Sequence, residues 1–265
     1  ALPTSEPHNP NENVLIPLTA AETEGFTPNV EFESGYCLWA KQPEERHRLI
    51  EVAEGKITMD EFLAQLSDRE VAVLLGGHPN TGVANTFGYG GLTKYGIPAV
   101  MTADGPAGLR IIPERGVYTT AWPCATLLAC SWNPEIIAAV GEAGGKELKE
   151  NNLAVWLTPA VNIHRSPLCG RNFEYYSEDP YLTGRLAAAM VKGIQSNRIG
   201  ATVKHFALNN KETNRKNSDS RASERAIREI YLKAFEIIVK EAKPWSIMTS
   251  YNIINGQRTS ENREL

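Results

Sequence analysis

The feature that most constrains the fold is a fourfold repeat of an apolar run followed by polar residues. The four apolar runs are IPAVMTADG, LAVWLTPAVNI, GATVKHFA and PWSIMTSY. Helices are predicted between them, after Asn133-Pro134, after Asp179-Pro180 and after Ser223, because these residues favour the first positions of a helix. Alternating strands and helices with short connections predict a parallel sheet, either doubly wound or closed as a barrel.

The position of the polar residues favours the barrel. They follow the apolar runs at Asp104, at residues 162–171, at Lys204-His205 and at Tyr251. Barrel enzymes carry their chemistry at this carboxyl end of the strands. No G-x-G-x-x-G motif follows the first run, so dinucleotide binding is not indicated. We predict an α/β (β/α)8 TIM-barrel-like domain that is incomplete in this chain, since a whole barrel takes about 250 residues.

Two domains are predicted along the chain. Residues 1–50, rich in Pro, Asn, Glu and Thr, are predicted to be an irregular lead-in or an inter-domain linker, and residues 51–265 the first part of the barrel domain. Thr58-x-x-Glu61 and Ser67-x-x-Glu70 are capping boxes that predict two short helices. The segment TGVANTFGYGG is predicted to be a loop. Six apolar residues of the two helices are expected to be buried: Phe62, Leu63, Leu66, Val71, Leu74 and Leu75.

Composition excludes several classes of partner. The net charge is 27 − 31 = −4, so there is no basic surface for nucleic acid. No run reaches the roughly 18 apolar residues of a membrane helix, and the N-terminus lacks a signal-peptide pattern. The four cysteines are scattered, which favours a reducing compartment and predicts a cytoplasmic location, with secretion left open. A homodimer also stays open.

Asp104 lies in TADGPAGLR, where glycine and proline force a tight turn at the end of a strand. A carboxylate held there can accept hydrogen bonds from two vicinal hydroxyls. An aspartate in a D-G-P sequence can equally bond its own backbone. Arg110, six residues further on, favours the first interpretation as a partner for Asp104 or for a ligand oxygen.

Lys204 and His205 are adjacent on a strand, and both reach one pocket only if the strand is ending there. A buried histidine alone is more often a core residue, but lysine is almost never fully buried unpaired, so a functional role is favoured. Arg171 offers a planar fork for paired hydroxyls or a carboxylate, and the alternative is a salt bridge to Glu174 or Glu178. KETNRKNSDSR is predicted to be a solvated loop without a function.

Four motifs together resemble a known family. TADGPAGLR, GRNFEYYSEDP, KHFALNNKETNR and IMTSYNIINGQ, in this order, are similar to the N-terminal barrel domain of family 3 glycoside hydrolases, most closely the β-glucosidases. The resemblance implies retaining exo-hydrolysis of terminal non-reducing β-D-glucosyl residues. The family's xylosidases tend to place Glu where Asp104 stands, so glucose is favoured, and β-xylosidase is kept as an alternative. The K-H-F-x-G-x-G loop of its N-acetylglucosaminidases is absent.

The resemblance implies that seven residues bind the terminal sugar: Asp104, Arg110, Arg171, Lys204, His205, Met248 and Tyr251. Asp104, with Arg110 nearby, would grip the hydroxyls at C4 and C6. The hydroxyls at C2 to C4 would be held by Arg171, Lys204 and His205. The pocket beside the reacting carbon would be lined by Met248 and Tyr251. The implied substrate is a β-glucoside or cello-oligosaccharide.

No catalytic residue is assigned within the chain. In the family the nucleophile is an Asp of an S-D-W-like motif, expected a short distance beyond Leu265, and the acid/base Glu belongs to an α/β sandwich domain. The remaining barrel and the sandwich are therefore expected partners, in the same gene product or another chain. No metal or cofactor is implied.

A non-catalytic sugar-binding module is a second hypothesis. A phosphate-handling barrel enzyme is a weaker third, because TGVANTFGYGG precedes a strand rather than a helix.

Overall fold

The computed structural model describes residues 46–111 and 113–265. The predicted lead-in therefore lies almost wholly outside the described residues. The described chain begins with three short helices: α1 (Leu49–Ala53), α2 (Met59–Ala64) and α3 (Asp68–Leu75). Both predicted capping boxes are confirmed, since the side chains of Thr58 and Ser67 accept hydrogen bonds from the backbone of Glu61 and Glu70.

The predicted burial of these helices was wrong in part. Phe62 is buried against Tyr95, with the two rings edge to face, but Leu63, Val71 and Leu75 are exposed. Each helix has at most about two turns, so only a narrow stripe can reach the rest of the domain.

The first apolar run takes part in two sheets instead of one. Residues 97–100 form β2 (Ile97–Val100), which pairs antiparallel with β1 (Tyr89–Leu92), and only β3 (Thr102–Ala103) enters the parallel sheet. The prediction of a loop over TGVANTFGYGG was therefore wrong at its end. Gly96, with φ +69°, turns the chain, and a Cβ at Gly90 would stand 2.3 Å from the Pro98 carbonyl oxygen. The glycines that favoured a loop instead allow a close hairpin.

The remaining elements complete four β-α cycles. The helices that follow are α4 (Ala125–Ala129), α5 (Pro134–Glu150), α6 (Pro180–Gln195), α7 (Glu224–Ala226) and α8 (Lys233–Ala242). The strands are β4 (Val155–Trp156), β5 (Gly200–Phe206), β6 (Asp219–Ser220), β7 (Ser246–Thr249), β8 (Ile253–Ile254) and β9 (Gln257–Arg258). Asn133 and Asp179 cap α5 and α6, with proline at the first position, as predicted.

The parallel sheet has the strand order β3-β4-β5-β7, which is also the order along the chain. A doubly wound sheet would reverse its strand order at a switch point, whereas a barrel adds each strand beside the last. The TIM-barrel-like prediction is confirmed, and four of eight strands lie in the described residues. None of the described helices is long and apolar enough to cross a membrane.

Two local predictions needed correction on the carboxyl-terminal side. The helix predicted after Ser223 is interrupted by a π-helical turn over Ile227–Tyr231, which rotates Ile230 towards solvent and buries Leu232. The predicted solvated loop contributes β6, because β8 pairs with it in parallel. Pairing with a distant segment leaves no local signal in the sequence.

Candidate active site

The carboxyl ends of the four parallel strands bring the predicted polar residues together. Asp104 directly follows β3, Lys204 and His205 lie near the end of β5, and Met248 is the register neighbour of Lys204 on β7. Arg171 comes from the long loop after β4. Because parallel strands end at the same edge of a sheet, side chains far apart in sequence meet there.

Asp104 is held by the turn that follows it. Its carbonyl accepts a hydrogen bond from Arg110 N at 2.9 Å, and Gly105 and Gly108 adopt φ angles of +107° and +138° that favour glycine. A Cβ at Gly105 would lie 2.0 Å from the Gly108 carbonyl oxygen. The predicted partner is confirmed, since the Arg110 guanidinium forms an ion pair with the Asp104 carboxylate.

Lys204 is almost wholly enclosed, with 1% of its surface exposed. Its Nζ donates to Asp104 Oδ1 at 2.7 Å and lies 3.9 Å from Glu174 Oε2. Desolvation would raise the pKa of Asp104, but the charge and hydrogen bond of Lys204 outweigh it and hold that pKa below its usual value. Asp104 is therefore an ionised acceptor at neutral pH, and a general acid would need the opposite shift.

Arg171 forms the salt bridge to Glu174 that stood as its alternative interpretation. Its Nε donates to Glu174 Oε1, and the side chain keeps partial access to solvent. An ion pair through Nε leaves the two terminal nitrogens of the guanidinium available for other oxygens. The salt bridge and a role in ligand binding are therefore compatible.

His205 is held mainly through its backbone. The side-chain amide of Asn162 donates to the His205 carbonyl and accepts from the His205 N–H, both at 3.0 Å. Desolvation, with the nearby charges of Arg171 and Lys204, lowers the pKa of His205 to about 2. The imidazole is therefore neutral at physiological pH.

Tyr251 lies just beyond β7 and is about half exposed. The guanidinium of Arg215 stands over its ring at 5.1 Å from the centroid. Arg215 belongs to the segment predicted to be a loop without function, and its NH1 donates to Glu212 Oε2 at 2.8 Å. This part of the prediction needs correction, because the charge run is organised around the site.

Sequence reasoning missed three residues of this cluster, Tyr175, Asn209 and Glu212, and it named Asn162 and Glu174 only as the start of a polar stretch and as a possible salt-bridge partner. Glu174 is only 3% exposed, and Tyr175 and Asn209 are also buried. Their presence within GRNFEYYSEDP and KHFALNNKETNR was visible, but their inward direction was not. The usable signal was the density of polar residues beside two predicted strand ends.

A large groove lies away from this cluster. It has a volume of about 540 Å³ and is lined mainly by apolar side chains of α8, β5 and β7, among them Phe206, Phe235, Val239 and Ile247. None of the seven predicted site residues lines it. The size of a cavity is therefore a poorer guide to the candidate site than the residues around it, because the charged and hydrogen-bonded side chains converge elsewhere.

No group of three or more histidine, cysteine, aspartate or glutamate side chains suited to a metal ion occurs within the described part of the chain. Cys124, Cys130 and Cys169 are free thiols.

A parallel sheet of barrel order, with ion-paired carboxylates and hydrogen-bond donors at its carboxyl edge, defines a barrel-type domain with a polar site at the ends of its strands. The model of the glycosyl hydrolase family 3 N terminal domain matches residues 90–265. The chain belongs to glycosyl hydrolase family 3.

Individual relatives agree with this assignment. Beta-glucosidase A of Butyrivibrio fibrisolvens is 65% identical over 240 residues, covering 90% of this chain and 29% of the relative. An exo-alpha-(1->6)-L-arabinopyranosidase of Bifidobacterium longum is 50% identical over 184 residues, covering 66% of this chain and 24% of the relative. The structure of beta-glucosidase 3B from Thermotoga neapolitana in complex with alpha-D-glucose has a TM-score of 0.74 at 47% identity, covering 79% of this chain and 31% of that one. The chain thus spans less than a third of the length of these relatives.

Proposed function

We propose that the polypeptide carrying these residues is a retaining exo-acting β-glucosidase, and that this chain supplies the subsite for the terminal glucosyl residue. The observation that carries the proposal is the buried Lys204–Asp104 ion pair, with Arg110 and Arg171 beside it at the carboxyl edge of the sheet. An acceptor-only carboxylate surrounded by donors suits the vicinal hydroxyls of a sugar. A relative of 65% identity that is named a β-glucosidase supports this substrate class.

The seven predicted residues form the proposed subsite. Asp104 and Arg110 bind the hydroxyls at C4 and C6, Arg171, Lys204 and His205 bind those at C2 to C4, and Met248 and Tyr251 line the pocket. A site that closes over C4 and C6 accepts only a chain end, hence exo-action on β-glucosides or cello-oligosaccharides.

We assign the nucleophile and the acid/base to residues outside 1–265. The two carboxylates nearest the centre of the cluster, Asp104 and Glu174, are both engaged by cations. A carboxylate committed to a lysine or arginine is a poor nucleophile and a poor proton donor. The remaining barrel and the sandwich domain are the proposed partners. The apolar groove beside β7 supports this, because it lies where the next strand and helix of a barrel would pack. A homodimer, the absence of nucleic acid partners and a cytoplasmic location stay predictions.

An arabinopyranosidase is the second candidate, because the relative of that name is 50% identical. An α-L-arabinopyranoside, like a xyloside, lacks C6 and its hydroxyl group. A site in which Asp104 binds the C6 hydroxyl therefore distinguishes a glucoside from both pentosides.

The test is hydrolysis of nitrophenyl β-D-glucoside, β-D-xyloside and α-L-arabinopyranoside by the polypeptide carrying these residues. We expect the highest kcat/KM for the glucoside. Asp104→Asn should lower that value by about 10- to 100-fold, the cost of one charge-assisted hydrogen bond or more. The loss should be smaller for the pentosides.

The matched control is Glu142→Gln, which changes an exposed carboxylate on α5 and should leave all three activities unchanged. Glucose binding without nitrophenol release would indicate the non-catalytic sugar-binding module instead. A higher kcat/KM for the arabinopyranoside would favour the second candidate.

A further inference from the structure

The two ring nitrogens of His205 have different surroundings. Nδ1 lies 3.5 Å from Tyr175 Oη. Nε2 makes no hydrogen bond with the residues that the structure describes, and it is not among their fully enclosed polar atoms without a partner. Nε2 therefore borders the accessible part of the site, while Nδ1 faces the protein interior. The proton can occupy either nitrogen of a neutral imidazole, and its location decides whether Nε2 donates or accepts.

The hydrogen bonds of Tyr175 indicate which ring nitrogen of His205 carries the proton. Burial raises the pKa of the Tyr175 phenol, so Oη keeps its single proton. That proton has a good acceptor in the backbone carbonyl of Asn209 at 3.0 Å, which is a shorter contact than the one to His205. Oη then has only lone pairs to offer its other neighbours. A hydrogen bond between the two therefore requires that His205 Nδ1 carries a hydrogen and donates it to Tyr175 Oη.

The side chain of Asn209 strengthens this assignment. Its Nδ2 donates both to Tyr175 Oη at 3.1 Å and to Glu212 Oε1 at 3.2 Å. Glu212 accepts at its other oxygen from Arg215, so both oxygens of its carboxyl group act as acceptors. Because Glu212 accepts here, the Asn209 amide is oriented with Nδ2 towards Glu212 and Tyr175. The donor and the acceptor of each hydrogen bond between Arg215 and His205 are then determined.

We propose that Tyr175 is a positioning residue that holds His205 as the neutral Nδ1–H tautomer, so that Nε2 presents a hydrogen-bond acceptor to one hydroxyl of the substrate. The inference rests on the proposed function, because it needs a sugar in the site. Lys204, Arg110 and Arg171 only donate. Asp104 requires a donating hydroxyl at C4 and C6, and among the three residues proposed to hold the hydroxyls at C2 to C4 it is His205 Nε2 that requires one.

The experiment exploits fluorine, which can accept a hydrogen bond but cannot donate one. Glucose and its derivatives, with each hydroxyl in turn replaced by hydrogen or by fluorine, are measured as competitive inhibitors of aryl glucoside hydrolysis. Where lysine or arginine donates, fluorine should inhibit better than hydrogen. At the hydroxyls beside Asp104 and at the one beside His205, fluorine should inhibit no better than hydrogen, and only the His205 position should respond to a change at Tyr175.

Tyr175→Phe removes the acceptor that Nδ1–H needs, so the Nε2–H tautomer becomes available. At the His205 position the fluorine derivative should then improve relative to the hydrogen derivative by roughly fivefold, about one hydrogen bond. Glucose itself should bind almost as before, since a hydroxyl can also accept. Tyr176→Phe is the matched control, because Tyr176 is a buried neighbour outside the hydrogen-bond chain. It should leave the ratio unchanged.

Should Tyr175→Phe fail to fold, ¹⁵N NMR of the His205 imidazole in the unmodified enzyme is the second measurement, and it should show the hydrogen on Nδ1 and none on Nε2. If fluorine is penalised only at C4 and C6, if Tyr175→Phe keeps every penalty, or if the ring carries its hydrogen on Nε2, the inference is overturned and the proposed function stands. If glucose does not inhibit at all, the proposed function falls and the inference with it.

Discussion

At the scale of single residues, the site depends on a lysine that could not be buried alone. Removing an ammonium group from water costs several kcal/mol, and the cost is offset only by close, well-aligned partners. Lys204 has Asp104 at 2.7 Å and Glu174 at 3.9 Å. The same contact lowers the pKa of Asp104, so the geometry of the proposed subsite and the local stability depend on one ion pair.

The first residue-scale prediction concerns Asp104→Asn and pH. The ordinary pKa of this carboxyl is 3.8 and the folded-state pKa is lower, so the stabilisation is complete above 3.8 and is lost as pH falls through the folded value. At pH near 7 the variant should be less stable by about 1 to 3 kcal/mol, the cost of a buried donor that loses its hydrogen-bond acceptor. The gap should narrow in acid, where the unmodified carboxyl is protonated too. Urea unfolding at several pH values measures it.

The control for this prediction is Glu178→Gln, an exposed carboxylate in the loop after β4, which should change the unfolding free energy little at any pH. A gap that stays constant down to the lowest pH at which both proteins fold cooperatively would contradict the role given to the ion pair.

At the scale of elements, α5 and α6 approach each other through glycines. A Cβ at Gly193 of α6 would stand 2.2 Å from the Ala138 carbonyl oxygen of α5, and one at Gly141 of α5 would stand 2.6 Å from the Met190 carbonyl oxygen of α6. Both obstacles are backbone atoms, which cannot rotate away. This pair of helices covers the strands that carry the site, so its spacing positions β4 and β5.

Gly193→Ala should therefore destabilise the domain by about 1 to 3 kcal/mol through overpacking, although alanine favours helices more than glycine does. The unfolding free energy in urea tests this. Gly170→Ala is the control, because nothing lies within 4 Å of the added methyl group. Equal stability of the two variants would show that the helices can separate without cost.

At the scale of the whole molecule, the site exists only because four β-α cycles converge. Asp104 follows β3, Arg171 follows β4, Lys204 and His205 belong to β5, and Tyr251 follows β7. A sugar bound here would bridge all four cycles, so binding should oppose unfolding of the domain as a unit.

The prediction at this scale is a rise in melting temperature with glucose. At 100 times Kd a ligand that binds only the folded state adds about 2.7 kcal/mol, which corresponds to a few degrees for a large protein. Differential scanning fluorimetry across a glucose titration measures it. Asp104→Asn should show a much smaller rise at the same concentrations, and an equal rise in both would place the sugar elsewhere.

The amino-acid sequence alone determined what depends on neighbours within a few residues. The capping boxes, the helix starts at Asn133 and Asp179 and the order of strands and helices were predictable, because their signals lie within one or two turns of chain. The residues at strand ends, including Asp104 and Lys204, followed from that order and from the general position of active sites in barrels.

Only the tertiary structure decided which distant groups meet. The Lys204–Asp104 bond joins residues 100 apart in sequence, and the contact of Tyr175 with His205 joins residues 30 apart. The pairing of β2 with β1 and the burial of Glu174 were likewise decided by the tertiary structure. The physical reason is that hydrogen-bond direction and desolvation depend on three-dimensional neighbours, which local patterns of polarity do not encode.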